Sequence, residues 1–167
     1  MQTHNFGATY QEGIVSAIDP KTHKVRCKIP ALEDLETAWL SFLAPNAGSN
    51  QFYCLPDVGE LVALLLDARG EGGCVLGAIY NAQDPTPVQD GEIWMKKFNN
   101  GTIISHHRKS GDVFVHTAGK VVISDCNVEV NSGTVTVSGG DVIADGISLK
   151  NHIHTEQGDG KPTSKPQ

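Results

Sequence analysis

The chain has 167 residues, 39% of them hydrophobic and 19% charged. That is room for one ordinary domain, or for one small domain with an elongated extension. Thirteen Lys and Arg against nineteen Asp and Glu give a net charge of −6, which argues against a nucleic-acid binder driven by phosphate neutralisation and against a polybasic membrane anchor. No run of 18 apolar residues predicts a membrane-spanning helix. The opening MQTHNFGATY lacks a charged stretch followed by an apolar one, so no cleavable secretory signal is expected.

Residues 10–83 read as a small β domain. The run Tyr10 to Ile18 ends at the turn signal Asp19-Pro20. In HKVRCKIP, Val25, Cys27 and Ile29 alternate with Lys24, Arg26 and Lys28, the mark of a half-exposed strand. TAWLSFLAP, Thr37 to Pro45, is a third strand candidate. GELVALLLD is a strongly apolar fourth, and the glycine-rich RGEGG joins it to CVLGAIY as a hairpin. Five short strands without an amphipathic helix predict a closed barrel, which leaves no open sheet edge. The cysteines Cys27, Cys54, Cys74 and Cys126 show no CxxC spacing. They are expected to be free and mostly buried, and a four-cysteine zinc site is not expected.

DPTPVQDG, residues 84–91, reads as a linker, because Pro85 and Pro87 hold it extended and donate to no ladder. From 92 to 150 the chain becomes a glycine-punctuated series of very short strands, with Gly91, Gly101, Gly111, Gly119, Gly133, Gly140 and Gly146 at the turns. The apolar side is almost all β-branched: Val113, Val115, Val121, Ile123, Val128, Val130, Val135 and Val137 are examples. Three arrangements fit. A single-chain β-solenoid needs about 20 residues per rung and gains only about three rungs. A two-sheet sandwich is the plainest. Three chains wound together make a longer shaft from the same residues and satisfy the backbone between chains; this third arrangement is favoured.

His152 and His154 form His-x-His where the strand pattern stops. On an extended strand the two rings point one way, about 6 to 7 Å apart. One chain supplies two imidazoles, and three chains around an axis supply six, a set suited to octahedral iron, cobalt or nickel rather than zinc. His4 and His23 are expected to be solvated, His106 and His107 to face opposite ways, and His116 to line the shaft surface or meet its own symmetry mates. Asp141, Asp145 and the other acids of the ladder read as turn or solvent residues. No nucleophile pattern, phosphate loop or carboxylate pair is legible, so no catalytic residue is assigned and an enzyme is not expected. A carbohydrate-binding or receptor-binding module would call for more exposed aromatics than two Trp, three Tyr and five Phe.

The block EGIVSAIDPKTHKVRCKIP, the block LPDVGELVALLLDARGEGGCVLGAIYN with its Pro56-x-x-Gly59-Glu60, the strand ladder and the terminal HIHTEQGDGKPTSKPQ together cover nearly the whole chain. In these pieces the sequence resembles the baseplate assembly protein V family, the central spike of P2- and Mu-like contractile-tailed bacteriophages. The resemblance implies an all-β protein. Residues 1–9 would be an N-terminal segment against the hub, 10–83 an OB-fold barrel and 84–91 a linker. Residues 92–150 would be a trimeric, intertwined triple-stranded β-helix, and 151–167 a metal-binding apex and tail, with Gly158, Gly160 and Pro162 permitting the tail to fold back over the tip. It further implies one iron ion per homotrimer, held by His152 and His154 of each chain, and leaves calcium or chloride ions on the shaft axis open. The OB domain would sit on the baseplate hub protein as an adaptor, without nucleic acid. The spike would occupy the baseplate tip of the virion, assemble in the host cytoplasm, and pierce the host outer membrane on sheath contraction. A related secretion or bacteriocin machine uses an equivalent spike.

Overall fold

In a strand, successive side chains point to opposite faces, so an apolar residue at every second position buries one face. The computed structural model describes residues 7–155, 158 and 160–162. It divides between Ala118 and Gly119 into two compact units.

The first unit opens with β1 (Ala8–Asp19), β2 (Lys24–Ile29), β3 (Leu35–Glu36), β4 (Leu40–Phe42), β5 (Leu61–Asp67) and β6 (Gly73–Ala78). Their order is β1-β5-β6-β4-β2-β3, and β1 also pairs with β2. Five strands therefore close on themselves, with β3 appended to β2. All pairings are antiparallel except β4 with β6, where Ser41 faces Cys74 and Phe42 faces Val75. This ring is the five-stranded Greek-key barrel of an OB fold.

β1 closes the ring because it bends. Its first half pairs with β5 from Ala8 to Ile14, its second half with β2 from Ile14 to Asp19. Two sequence features allow this. The register shifts between Val15 and Ala17, a bulge that turns the strand. Just before it, Gly13 lies so close to the core that an added Cβ would sit 2.9 Å from Leu64 Cδ1 and 3.0 Å from Cys27 Cβ. Inside the ring, Val15, Val25, Cys27, Ile29, Leu40, Val62, Leu64, Leu66 and Val75 form one buried cluster. Val25, Cys27 and Ile29 among them are the inward positions that the alternation of β2 marks, and β5 adds Val62, Leu64 and Leu66. Thr37 is the buried polar member. Its hydroxyl donates to Ala38 O (2.8 Å) and accepts from the Cys27 N–H (3.1 Å).

Three local expectations change. The strand expected across Thr37 to Pro45 shrinks to β4, because Thr37 is spent on capping β2 and Pro45 lies beyond Leu43, whose N–H still reaches Val75 O. His23 is not solvated: its ring packs on Phe42 and Tyr53, with centroids 5.9 and 5.3 Å away, and its Nε2 is buried without a hydrogen-bond partner. All four cysteines are free, yet only Cys27 is fully buried; Cys54 and Cys74 are half-buried and Cys126 is exposed. His4 lies outside the described residues.

Residues 84–91 carry no strand and lead into an antiparallel meander of β7 (Ile93–Lys97), β8 (Ile103–His107) and β9 (Val113–His116). Here the first three short strands of the ladder pair within one chain. Arg108 ties the entry of the meander, donating from Nη2 to Gly91 O (2.7 Å) and meeting Glu92 at 3.3 Å.

The second unit is different in kind. Residues 119–142 form no strand within the chain. The β-branched residues of this stretch lie open: Val121 is 65% exposed, Val128 69% and Val135 68%. The two-sheet sandwich is thus not formed by these residues in a single chain. Among the described residues of this unit, the named strands are β10 (Ile143–Ala144) and β11 (Ile147–Ser148).

Candidate functional site

β10 and β11 are joined by Asp145 and Gly146, with φ of 49° and 84°. Two successive positive φ values define the tight turn whose twist matches a hairpin, and Asp-Gly is a dipeptide that takes it readily. The register follows: Ile143 opposes Ser148 and Ala144 opposes Ile147. Beyond the paired strands the Leu149 N–H still reaches Val142 O at 2.9 Å. The same register sets Asp141 opposite Lys150.

The Asp141 carboxylate draws in the chain on the far side. One oxygen accepts from the backbone N–H groups of Val142 (2.8 Å) and Lys150 (3.1 Å), and the other accepts from the Ser148 hydroxyl. Ser148 Oγ in turn accepts the Asn151 N–H at 2.9 Å. The Ser148 hydrogen bond, first among these causes, holds the Asp141 carboxyl below its usual range. This acid was expected to be a plain turn residue; the structure makes it the centre of a knot. The Asp145-Gly146 hairpin signal, whose register places 141 opposite 150, is what would have located it.

The knot delivers His152. Its backbone N–H donates to Ser148 O at 3.0 Å, and its ring Nδ1 lies 3.0 Å from Ser148 O and 3.1 Å from Leu149 O. A carbonyl only accepts, so Nδ1 carries a proton, and in the neutral ring Nε2 is then the nitrogen with the lone pair. His154 stands beside it, with ring centroids 5.1 Å apart and planes at 83°. The two expected ligands are therefore brought together. Among the described residues no group of three or more His, Cys, Asp or Glu gathers to hold a metal within one chain. A neutral imidazole with Nδ1 hydrogen-bonded to a carbonyl is the ordinary form of a metal-ligating histidine. The pair thus fits a metal, provided other chains complete the ligand set. Thr155 makes an antiparallel bridge to Pro162, so the chain reverses after the histidines; the rest of the expected fold-back lies outside the described residues, as does most of the N-terminal segment.

In the first unit, a cavity of about 440 Å3 lies between the β4–β5 loop, the end of β6 and β7. Phe42, Phe52, Leu55 and Ile79 line it, and Lys96 Nζ donates to Cys54 Sγ across it at 3.1 Å. Glu60, at its edge, is shifted upward by desolvation.

The model of the Type VI secretion system/phage-baseplate injector OB domain matches residues 11–80, from the start of β1 to just past β6. The closed ring is thus an OB domain of the phage-baseplate injector kind, which supports the resemblance to the baseplate assembly protein V family. The match covers the closed ring and stops before the meander and the second unit. No curated protein matches the chain. The injector domain gives the chain a spike-related role in a phage or type VI contractile machine.

Proposed function

We propose that this chain is the central spike of a contractile phage tail, a homotrimer that pierces the host outer membrane during injection. The observation that carries the reading is the pairing of an injector OB domain with an apolar stretch that one chain leaves open. Val121, Ile123, Val128, Val130, Val135 and Val137 are exposed on a segment that makes no strand alone. Six β-branched side chains left open between residues 121 and 137 suit a surface that a partner covers. Three copies of the segment, wound as an intertwined β-helix, would bury these side chains and satisfy the backbone of residues 119–142 between chains.

In this reading the injector domain seats the trimer on the baseplate hub, and the second unit points toward the host. His152 and His154 of three chains hold one iron ion with six nitrogens. Bound there, the metal would tie three chain ends together where fraying otherwise begins. No chemical step on a substrate is required of the spike; its work is mechanical. It would assemble in the host cytoplasm and reside at the baseplate tip of the virion. A spike of a type VI or bacteriocin machine shares every element of this account, and the genes beside this one separate the two.

The test is native mass spectrometry of the untagged full chain. The expected species is a trimer, three times 17.8 kDa, with one additional metal mass. His152→Ala combined with His154→Ala removes the metal and leaves the trimer folded. A metal-free monomer overturns the shaft and the apex together.

A further inference from the structure

The strand pairing of β10 and β11 ends at Ile143 and Ser148, yet the hydrogen bonds of the Asp141 carboxylate reach past it. They take in the N–H of Lys150 directly and the N–H of Asn151 through the Ser148 hydroxyl. Residues 149–151 are the turn between the hairpin and His152. Ser148 therefore does two things at once: its side chain closes the knot, and its carbonyl receives both the backbone N–H and the ring Nδ1 of His152.

A hairpin with a good turn needs no such clamp on its own account. Asp145-Gly146 already sets the register. A carboxylate has only acceptor sites, about four in all, and three donors converge on this one. What the clamp fixes is the path of the chain into His152, and with it the carbonyls that decide which ring nitrogen holds the proton.

Resting on the metal-centre reading above, we infer that Asp141 is the positioning residue of the apex. Through Ser148 and the 149–151 turn it holds His152 with Nδ1 on backbone carbonyls, so that Nε2 is the nitrogen offered to the metal. Such supporting groups commonly change metal affinity by about 10- to 100-fold when removed. The acid does not touch the metal in this scheme, and its effect passes through the histidine.

The test uses the full-length trimer stripped of metal and titrated with Co2+ alone. Binding is followed by competition with a chelator and by the d–d absorption of the bound ion. Asp141→Ala is expected to weaken Co2+ binding about 10- to 100-fold and to shift the absorption, with the trimer intact. Asp141→Asn keeps an oxygen for the two backbone N–H groups and restores most of the affinity. Ser148→Ala removes the hydroxyl junction but keeps the carbonyl, and gives a smaller loss. The double variant His152→Ala with His154→Ala is the control for the site itself. If the control loses Co2+ while Asp141→Ala and Ser148→Ala trimers match wild type in affinity and spectrum, the positioning role is overturned and the metal centre stands. If wild type binds no more Co2+ than the control, both fall. Should Asp141→Ala fail to assemble, Ser148→Ala decides: weakened binding in an intact trimer supports the role, and wild-type binding overturns it.

Discussion

Thr37 and Cys27 show how a few atoms close the barrel. Cys27 is 0% exposed, and its N–H finds the Thr37 hydroxyl while its carbonyl receives the Thr37 N–H at 2.9 Å. Replacing Thr37 with Val keeps the shape and strands the Cys27 N–H. The expected cost is about 1–3 kcal/mol, the usual penalty for a buried donor left unmade; a urea midpoint equal to wild type would refute it. The Cys27 thiol adds a pH signature. Burial raises it from 9.0 to about 11. Between those values the unfolded chain has released a proton that the native chain still holds. The associated stability is complete below pH ~9 and is lost as pH rises toward ~11. Urea midpoints of wild type should fall more steeply than those of Cys27→Ala over that interval. At pH 8 a thiol reagent should label exposed Cys126 well before Cys27.

At the scale of the element, β5 and β10–β11 obey different rules. β5 has Val62, Leu64 and Leu66 buried, with Leu65 40% exposed between them. Leu64→Ala should cost about 2–5 kcal/mol, while Leu65→Ala should stay within roughly 1 kcal/mol. Equal losses of melting temperature would mean the alternation is not what seats the strand. This element was legible in the sequence as a strongly apolar run, while which of its leucines face inward was not, since Leu61 to Leu66 carry no polar alternation. The closed barrel, the β5–β6 hairpin and the His152–His154 pairing were legible for similar local reasons. β3 was not, since a two-residue strand carries no period. His23 was misread as solvated: its partners Phe42 and Tyr53 lie 19 and 30 residues further on, and no local pattern announces such a ring stack. Asp141 escaped notice because its importance lies in register, which is set by a turn four residues away. The ladder's period was plain in Val121–Val137, but a period says only that one face must be covered. It does not say by which chain.

In the proposed trimer, coverage of that face is a property of the whole assembly. Val135 and Val137 sit two residues apart, so in an extended chain they share a face. They are 68% and 47% exposed here. If three chains meet along this face, two aspartates at these positions bring six like charges into one apolar interior, where unpaired charge is strongly disfavoured. Val135→Asp with Val137→Asp should therefore abolish assembly. The injector domain should be unaffected, because its core of Val15, Val25, Leu40, Val62 and Leu64 lies wholly within residues 8–78. Sedimentation would show the species falling from three times 17.8 kDa to a single chain, while the thermal transition of the barrel persists. Survival of the trimer would place the interchain contacts elsewhere and remove the intertwined shaft. Loss of the barrel transition together with the trimer would instead mean that the domain depends on assembly to fold, contrary to its closed ring of strands. The variant also bears on the apex. Six histidines can converge only if three chains do, so the metal should be lost with the trimer even though His152 and His154 are untouched.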